Sequence, residues 1–146
     1  MKAFGDREMR KRTGLALGAM ALTAAMVGGA ALAPAAAQAP SLAMLDGLSP
    51  GQWQLRYRDG SPPRTICMKS GRELIQLRHP RNNCSRYVVE DGASEVTVQY
   101  TCKGSNYGRT SIRRETGSLA QVESQGIAGG LPFQFSAEAR RTGACR

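Results

Sequence analysis

Four cysteines carry the most definite chemistry in this chain of 146 residues. Cys67, Cys84, Cys102 and Cys145 are spaced by 17, 18 and 43 residues. No Cys-x-x-Cys occurs, which argues against a thioredoxin-like redox pair and against a zinc ribbon. An even number of cysteines in a short exported chain points instead to two disulfides. Four cysteines allow three pairings. The expected one joins Cys67 to Cys84 around a short helix and Cys102 to Cys145 at the C-terminus.

His79 is the single imidazole. One histidine and spread-out cysteines do not make a metal site, so neither a metal nor a cofactor is expected. A catalytic base needs an orienting partner. The stretch Leu77-Arg78-His79-Pro80-Arg81 holds no carboxylate, so a solvent-exposed loop histidine is expected. Glu90, Asp91 and Glu95 gather at a turn. Paired acids hydrolyse glycosides or bind calcium, but the calcium-loop spacing is missing, and exposed turn acids are the expectation. Gly126-Ile-Ala-Gly-Gly-Leu-Pro132 lacks the Gly-Lys-Ser/Thr ending of a phosphate loop and reads as a long backbone turn. Gly47-Leu-Ser49-Pro-Gly51 matches a nucleophile elbow by letters alone, with a proline where a helix would have to start. With no catalytic constellation, a non-enzyme is expected.

The remaining chemistry is cationic. The chain has 20 Lys+Arg against 11 Asp+Glu, a net charge of +9. Residues 38–146 keep 15 and 9 of these, so +6, and 13 of the 15 are arginine. Arginine makes bidentate contacts with phosphate and carboxylate. Arg113-Arg114 and Arg140-Arg141 each place one arginine on the inward side of a strand, so these four are the candidate ligand-binding residues. The ligand class is an anionic or apolar envelope component such as lipopolysaccharide or peptidoglycan carboxylates. A nucleic acid is not expected in an exported protein, and no recognised aromatic-basic strand motif supports one.

The segments that position these residues begin with a leader. Lys2, Arg7, Arg10, Lys11 and Arg12 precede an uncharged run from Leu15 to Ala33, and Pro34-Ala-Ala-Ala37 follows. A basic start, an apolar middle and a small-residue end make residues 1–37 a signal peptide, cleaved after Ala37 or after Ala39. The alternative is a retained membrane anchor, since 19 uncharged residues just span a bilayer. Eight Ala and three Gly make that run weakly apolar for an anchor. A periplasmic or secreted protein is expected, with no stable membrane span once the leader is removed. Residues 38–50, rich in Ala, Pro, Ser and Leu, read as a flexible tether.

From Gly51 the pattern is β. Trp53, Leu55 and Tyr57 alternate with Gln52, Gln54, Arg56 and Arg58, a half-buried strand. Asp59 to Pro63 is a turn and Arg64 to Met68 a second strand. Ser70-x-x-Glu73 has capping-box spacing ahead of Leu74, Ile75 and Leu77, which predicts one short helix ending before Pro80. Strands follow over 85–90 and 95–102, with Glu90 opposite Glu95 and Tyr87 opposite Val98. In that register Cys84 and Cys102 point to opposite faces. A further hairpin runs over 109–116 and 119–125, and a last strand over 133–139. The sum is a mainly β domain over 51–146: a curved antiparallel sheet or small barrel of about seven short strands, one short helix and two disulfides.

Several of these residues fall in an order that resembles a family. Gly51-x-Trp53, Ile66-Cys67, Tyr100-x-Cys102, Gln125-Gly126-Ile127 and Arg140-Arg141-x-Gly143-x-Cys145 resemble the small exported bacterial proteins grouped as domain of unknown function 3617. The resemblance covers residues 47–146 and implies localisation and a β-rich fold, without any catalytic or binding residue. Val98-x-Tyr100-x-Cys102-x-Gly104 also looks like a strand motif of periplasmic inhibitors of C-type lysozyme. It sits mid-chain here and implies only a class of function. Two functions remain open: a non-enzymatic binding module for an anionic or apolar envelope ligand, and a protein-interaction role such as inhibiting an envelope hydrolase.

Overall fold

The structure, a computed structural model, describes residues 40–80 and 83–146. The expected leader over 1–37 lies outside the described residues. A short helix α1 (Ala43–Asp46) comes first. Seven strands follow: β1 (Gly51–Tyr57), β2 (Arg64–Met68), β3 (Cys84–Asp91), β4 (Glu95–Cys102), β5 (Tyr107–Thr116), β6 (Leu119–Ala128) and β7 (Leu131–Gly143). They make one antiparallel sheet in the order β2-β1-β7-β6-β5-β4-β3. The sheet curls slightly but does not close, so its edges are β2 and β3.

The alternation of β1 does what its sequence dictates. Trp53 and Leu55 are fully buried, while Arg56 faces water. Val96, Val98, Tyr100, Ile112, Ala120, Val122, Ala137 and Ala139 complete the inner face. Each large apolar side chain so buried is worth about 1.5–3 kcal/mol.

The inner face is covered by segments outside the sheet. Leu74, Ile75 and Leu77 lie on it, carried by the predicted capped turn. That turn is a 3-10 helix, Gly71–Leu74, shorter than the helix expected. Its capping box is formed: Ser70 Oγ accepts from Arg72 N, and Glu73 accepts from Ser70 N at 3.2 Å.

Leu42, Met44, Leu45 and Leu48 cover the sheet beside it. Residues 42–48, expected from composition to belong to a tether, are therefore part of the folded unit. Their apolar spacing fits one turn of helix. Gly71 permits the contact, because a Cβ there would strike the Leu45 backbone. Trp53 anchors the segment by donating its indole N–H to the Ser49 carbonyl at 3.0 Å.

The disulfides join Cys67 to Cys145 and Cys84 to Cys102, not the pairs expected. The reason lies in register. Asp91 opposes Val96, two positions from the Glu90–Glu95 arrangement, and a bulge at Val89 takes one position back. The net slip of one residue reverses which face each side chain takes. Cys84 then stands directly opposite Cys102, Tyr87 opposite Gln99 and Val88 opposite Val98. Tyr87 is accordingly 71% exposed. At the other edge, Cys145 follows β7 and reaches Cys67, whose strand neighbour Gln52 is paired with Gly143.

The glycine-rich stretch is also tighter than expected. β6 runs on to Ala128, opposite Leu131, leaving only Gly129 and Gly130 in the turn. Their φ values of 60° and 81° are those of a type I′ hairpin turn, which glycine adopts without strain.

Candidate functional site

Two glycines make room for the most unusual side-chain cluster. Tyr100, Gly108, Gly126 and Phe133 form one inward row across β4, β5, β6 and β7. A Cβ on Gly108 would collide with the Tyr100 ring, and one on Gly126 with the Gly108 backbone. The phenol therefore lies flat over bare backbone.

His79 fills the space above. It is only 5% exposed, where an exposed loop histidine was expected. Its ring meets Tyr100 edge-on at 5.5 Å and Phe133 at 5.9 Å. Nδ1 lies 3.1 Å from the Tyr100 hydroxyl, and Nε2 makes no hydrogen bond of good geometry. Burial pushes the His79 pKa below 6.5; the Ile127 backbone opposes this, and the Arg78 charge adds to it. Burial raises the Tyr100 pKa above 10, while Ser124 works the other way. Ser124 in turn bonds Thr110 at 2.8 Å, and Thr110 donates to the Ile75 carbonyl. This polar string fastens the covering segment to the sheet. Within it the imidazole is held by a phenol.

Phe133 links this cluster to an open groove. The groove holds about 700 Å³ and lies between β7, the β1–β2 connection and residues 77–80. Its floor is aromatic: Tyr57 meets Phe135 edge-on at 5.5 Å, and Phe133 stacks near Phe135 at 6.3 Å. Arg64 and Arg78 stand at the groove. Arg64 is held in place by donating to the Leu77 carbonyl at 3.0 Å, and the Arg78 guanidinium lies 5.9 Å from the Phe133 centroid. Asp59 lines the same groove, but it accepts from Ser61 N and forms no ion pair with either arginine. Its backbone bond from Ser61 holds its carboxyl below the usual range, so it stays ionised. The net charge at the groove is thus +1.

The chain matches no protein-family model, no curated protein and no solved structure.

The four arginines singled out from sequence stand elsewhere. Arg113 pairs with Glu115 at 3.4 Å and Arg140 with Glu138 at 3.3 Å, both on the outer face. Arg114 packs against Gly47 and donates to the Ala93 carbonyl, with its Nε buried and unpartnered. Arg141 donates to the Pro50 carbonyl at 2.8 Å. The inward-side members of the two pairs thus meet the segment that leads into β1. Arg113 and Arg141 line separate depressions, so the four do not converge on one site.

The groove residues were missed for a physical reason. Phe133 and Phe135 look like any inward pair of a final strand. Only the Leu77–Pro80 turn, folded back over β7, leaves them half-covered beside two arginines. Among the described residues, no three His, Cys, Asp or Glu side chains converge as metal ligands.

Proposed function

We propose that this protein is a non-catalytic binding domain whose groove takes an anionic amphiphile. The observation that carries this reading is the aromatic floor of Tyr57, Phe133 and Phe135 flanked by two arginines that have no carboxylate partner. A concave site of this size, with an aromatic floor and fixed polar groups at its sides, has the dimensions of a small-molecule site. The rings offer a surface for an alkyl or aryl body. A carboxylate or phosphate head would then meet Arg64 and Arg78, whose fork geometry suits both. The backbone bond holding Arg64 lowers the entropy lost when a ligand binds.

Export to the periplasm or outside the cell is part of the same proposal. Two disulfides favour an oxidising compartment. No helix among the described residues is long and apolar enough to cross a membrane. Membership of the family grouped as domain of unknown function 3617 is likewise proposed, on the motifs alone. Trp53, Tyr100, Gly126 and the two outer cysteines, which carry those motifs, are all structural here.

Titration calorimetry with decanoate and with decanol tests the reading. Saturable decanoate binding, weakened about tenfold in the Arg64→Gln/Arg78→Gln variant, is expected. Equal affinity for the acid and the alcohol would refute an anion-directed groove.

A further inference from the structure

The outer face of the sheet is divided by charge. Toward the β5–β6 turn, one row contains Glu95, Arg113, Gln121, Glu138 and Arg56, a lattice of both signs. Toward the Gly129-Gly130 turn the character changes. Tyr87, Gln99, Arg109, Gln125 and Gln134 form one outward row across five strands. Thr101, Tyr107, Ile127 and Pro132 form the row beside it. Neither row contains a carboxylate. Glu123 stands in the row on the other side, opposite Ser111, and makes no ion pair with Arg109. The three glutamines are exposed, and their side chains make no hydrogen bond among the described residues. A shallow depression of about 640 Å³ lies over Arg109, Gln99, Gln125, Gln134 and Tyr107.

We infer that this face binds a carboxylated glycan. Each pyranose ring presents an apolar C–H face, which stacks on an aromatic ring, and Tyr107 is 46% exposed for that purpose. Its hydroxyls need donors and acceptors close together, and a glutamine amide supplies two donors and an acceptor. The row from Gln99 to Gln134 crosses three strand spacings, about 14 Å, enough for a short oligosaccharide. Arg109, with no carboxylate of its own, takes the acid group of the sugar as a fork. A nucleic-acid strand fits less well, because it brings a phosphate at every nucleotide and these two rows hold one cation. The site adjoins the aromatic groove, with which it shares Pro132, Phe133 and Gln134, but Arg109, Tyr107, Gln99 and Gln125 line the outer depression and not that groove.

The test is calorimetric titration of the purified chain with a short galacturonate oligosaccharide, with its methyl ester, and with an oligothymidylate. The wild type is expected to bind the acid about tenfold more tightly than the ester and more tightly than the oligothymidylate. Arg109→Gln should bring the acid down to the affinity of the ester. Tyr107→Ala should weaken both by about tenfold, and Arg113→Gln, in the row of both signs, should change neither. All these positions are on the surface or rim, and unchanged thermal unfolding of each variant confirms that it is folded. No saturable binding of the acid, equal binding of acid and ester, tighter binding of the oligothymidylate, or an Arg109→Gln variant that still prefers the acid would each overturn the inference.

Discussion

His79 Nδ1 and the Tyr100 hydroxyl meet at 3.1 Å in the interior, 21 residues apart in sequence. The contact joins the segment that covers the sheet to the sheet itself. Tyr100→Phe removes the hydroxyl while leaving the ring in its slot over Gly108. His79 Nδ1 then loses its partner. Leaving such a group unpaired costs about 1–3 kcal/mol. Urea unfolding of the variant should show that loss with an unchanged denaturant slope.

The same contact predicts a pH dependence. The folded-state pKa of His79 is lowered, chiefly by burial, while the unfolded histidine titrates near 6.5. Below that value the unfolded chain binds the extra proton and the folded chain resists it. Stability is therefore fully present above about pH 6.5 and falls as the pH drops below it. Asp46 and Asp59, whose pKa values are lowered, keep their stabilising effect through this range and lose it only at more acid pH, as their carboxyls become protonated. Urea midpoints at pH 7.5 and pH 5 should differ in the wild type. The difference should shrink in His79→Phe, whatever that variant's overall stability.

The glycine slot makes a third prediction. Gly108→Ala places a methyl group against the Tyr100 ring, and a packed core forced to yield loses about 1–3 kcal/mol. Gly117→Ala meets nothing closer than 3.4 Å and should stay within about 0.5 kcal/mol of the wild type. Thermal unfolding of the two variants side by side separates a steric requirement from a general intolerance of glycine replacement.

The disulfides should contribute unequally. Cys67–Cys145 closes 78 residues and Cys84–Cys102 closes 18. Loop-closure entropy gives about 4.5 kcal/mol for the first and about 3.2 kcal/mol for the second. Removing the outer pair by a double Cys→Ala change should therefore destabilise more than removing the inner pair. A non-reducing peptide map should show these two links and no others.

Much of this architecture was legible in the residues themselves. Trp53, Leu55 and Tyr57 alternate as a strand must, and Ser70 with Glu73 spells out the cap that forms. What stayed hidden depended on register or on distant packing. Nothing in Val88-Val89-Glu90 announces a bulge, yet that one residue decides which cysteines pair. His79 sits among polar neighbours in sequence, and its apolar surroundings are supplied by Tyr100 and Phe133. Leu42, Leu45 and Leu48 had a helical spacing in plain view, masked by the Ala, Pro and Ser around them. The groove was invisible because it exists only where the Leu77–Pro80 turn folds over β7.

The most direct test of the groove is to see where a ligand lands. Amide chemical-shift mapping of the folded chain during titration with decanoate gives that position residue by residue. The account predicts that the perturbed amides cluster at Tyr57, Leu77, Arg78, Phe133 and Phe135, and that Arg64→Gln/Arg78→Gln suppresses the shifts. Shifts confined to the outer face, or none at saturating decanoate, would contradict it.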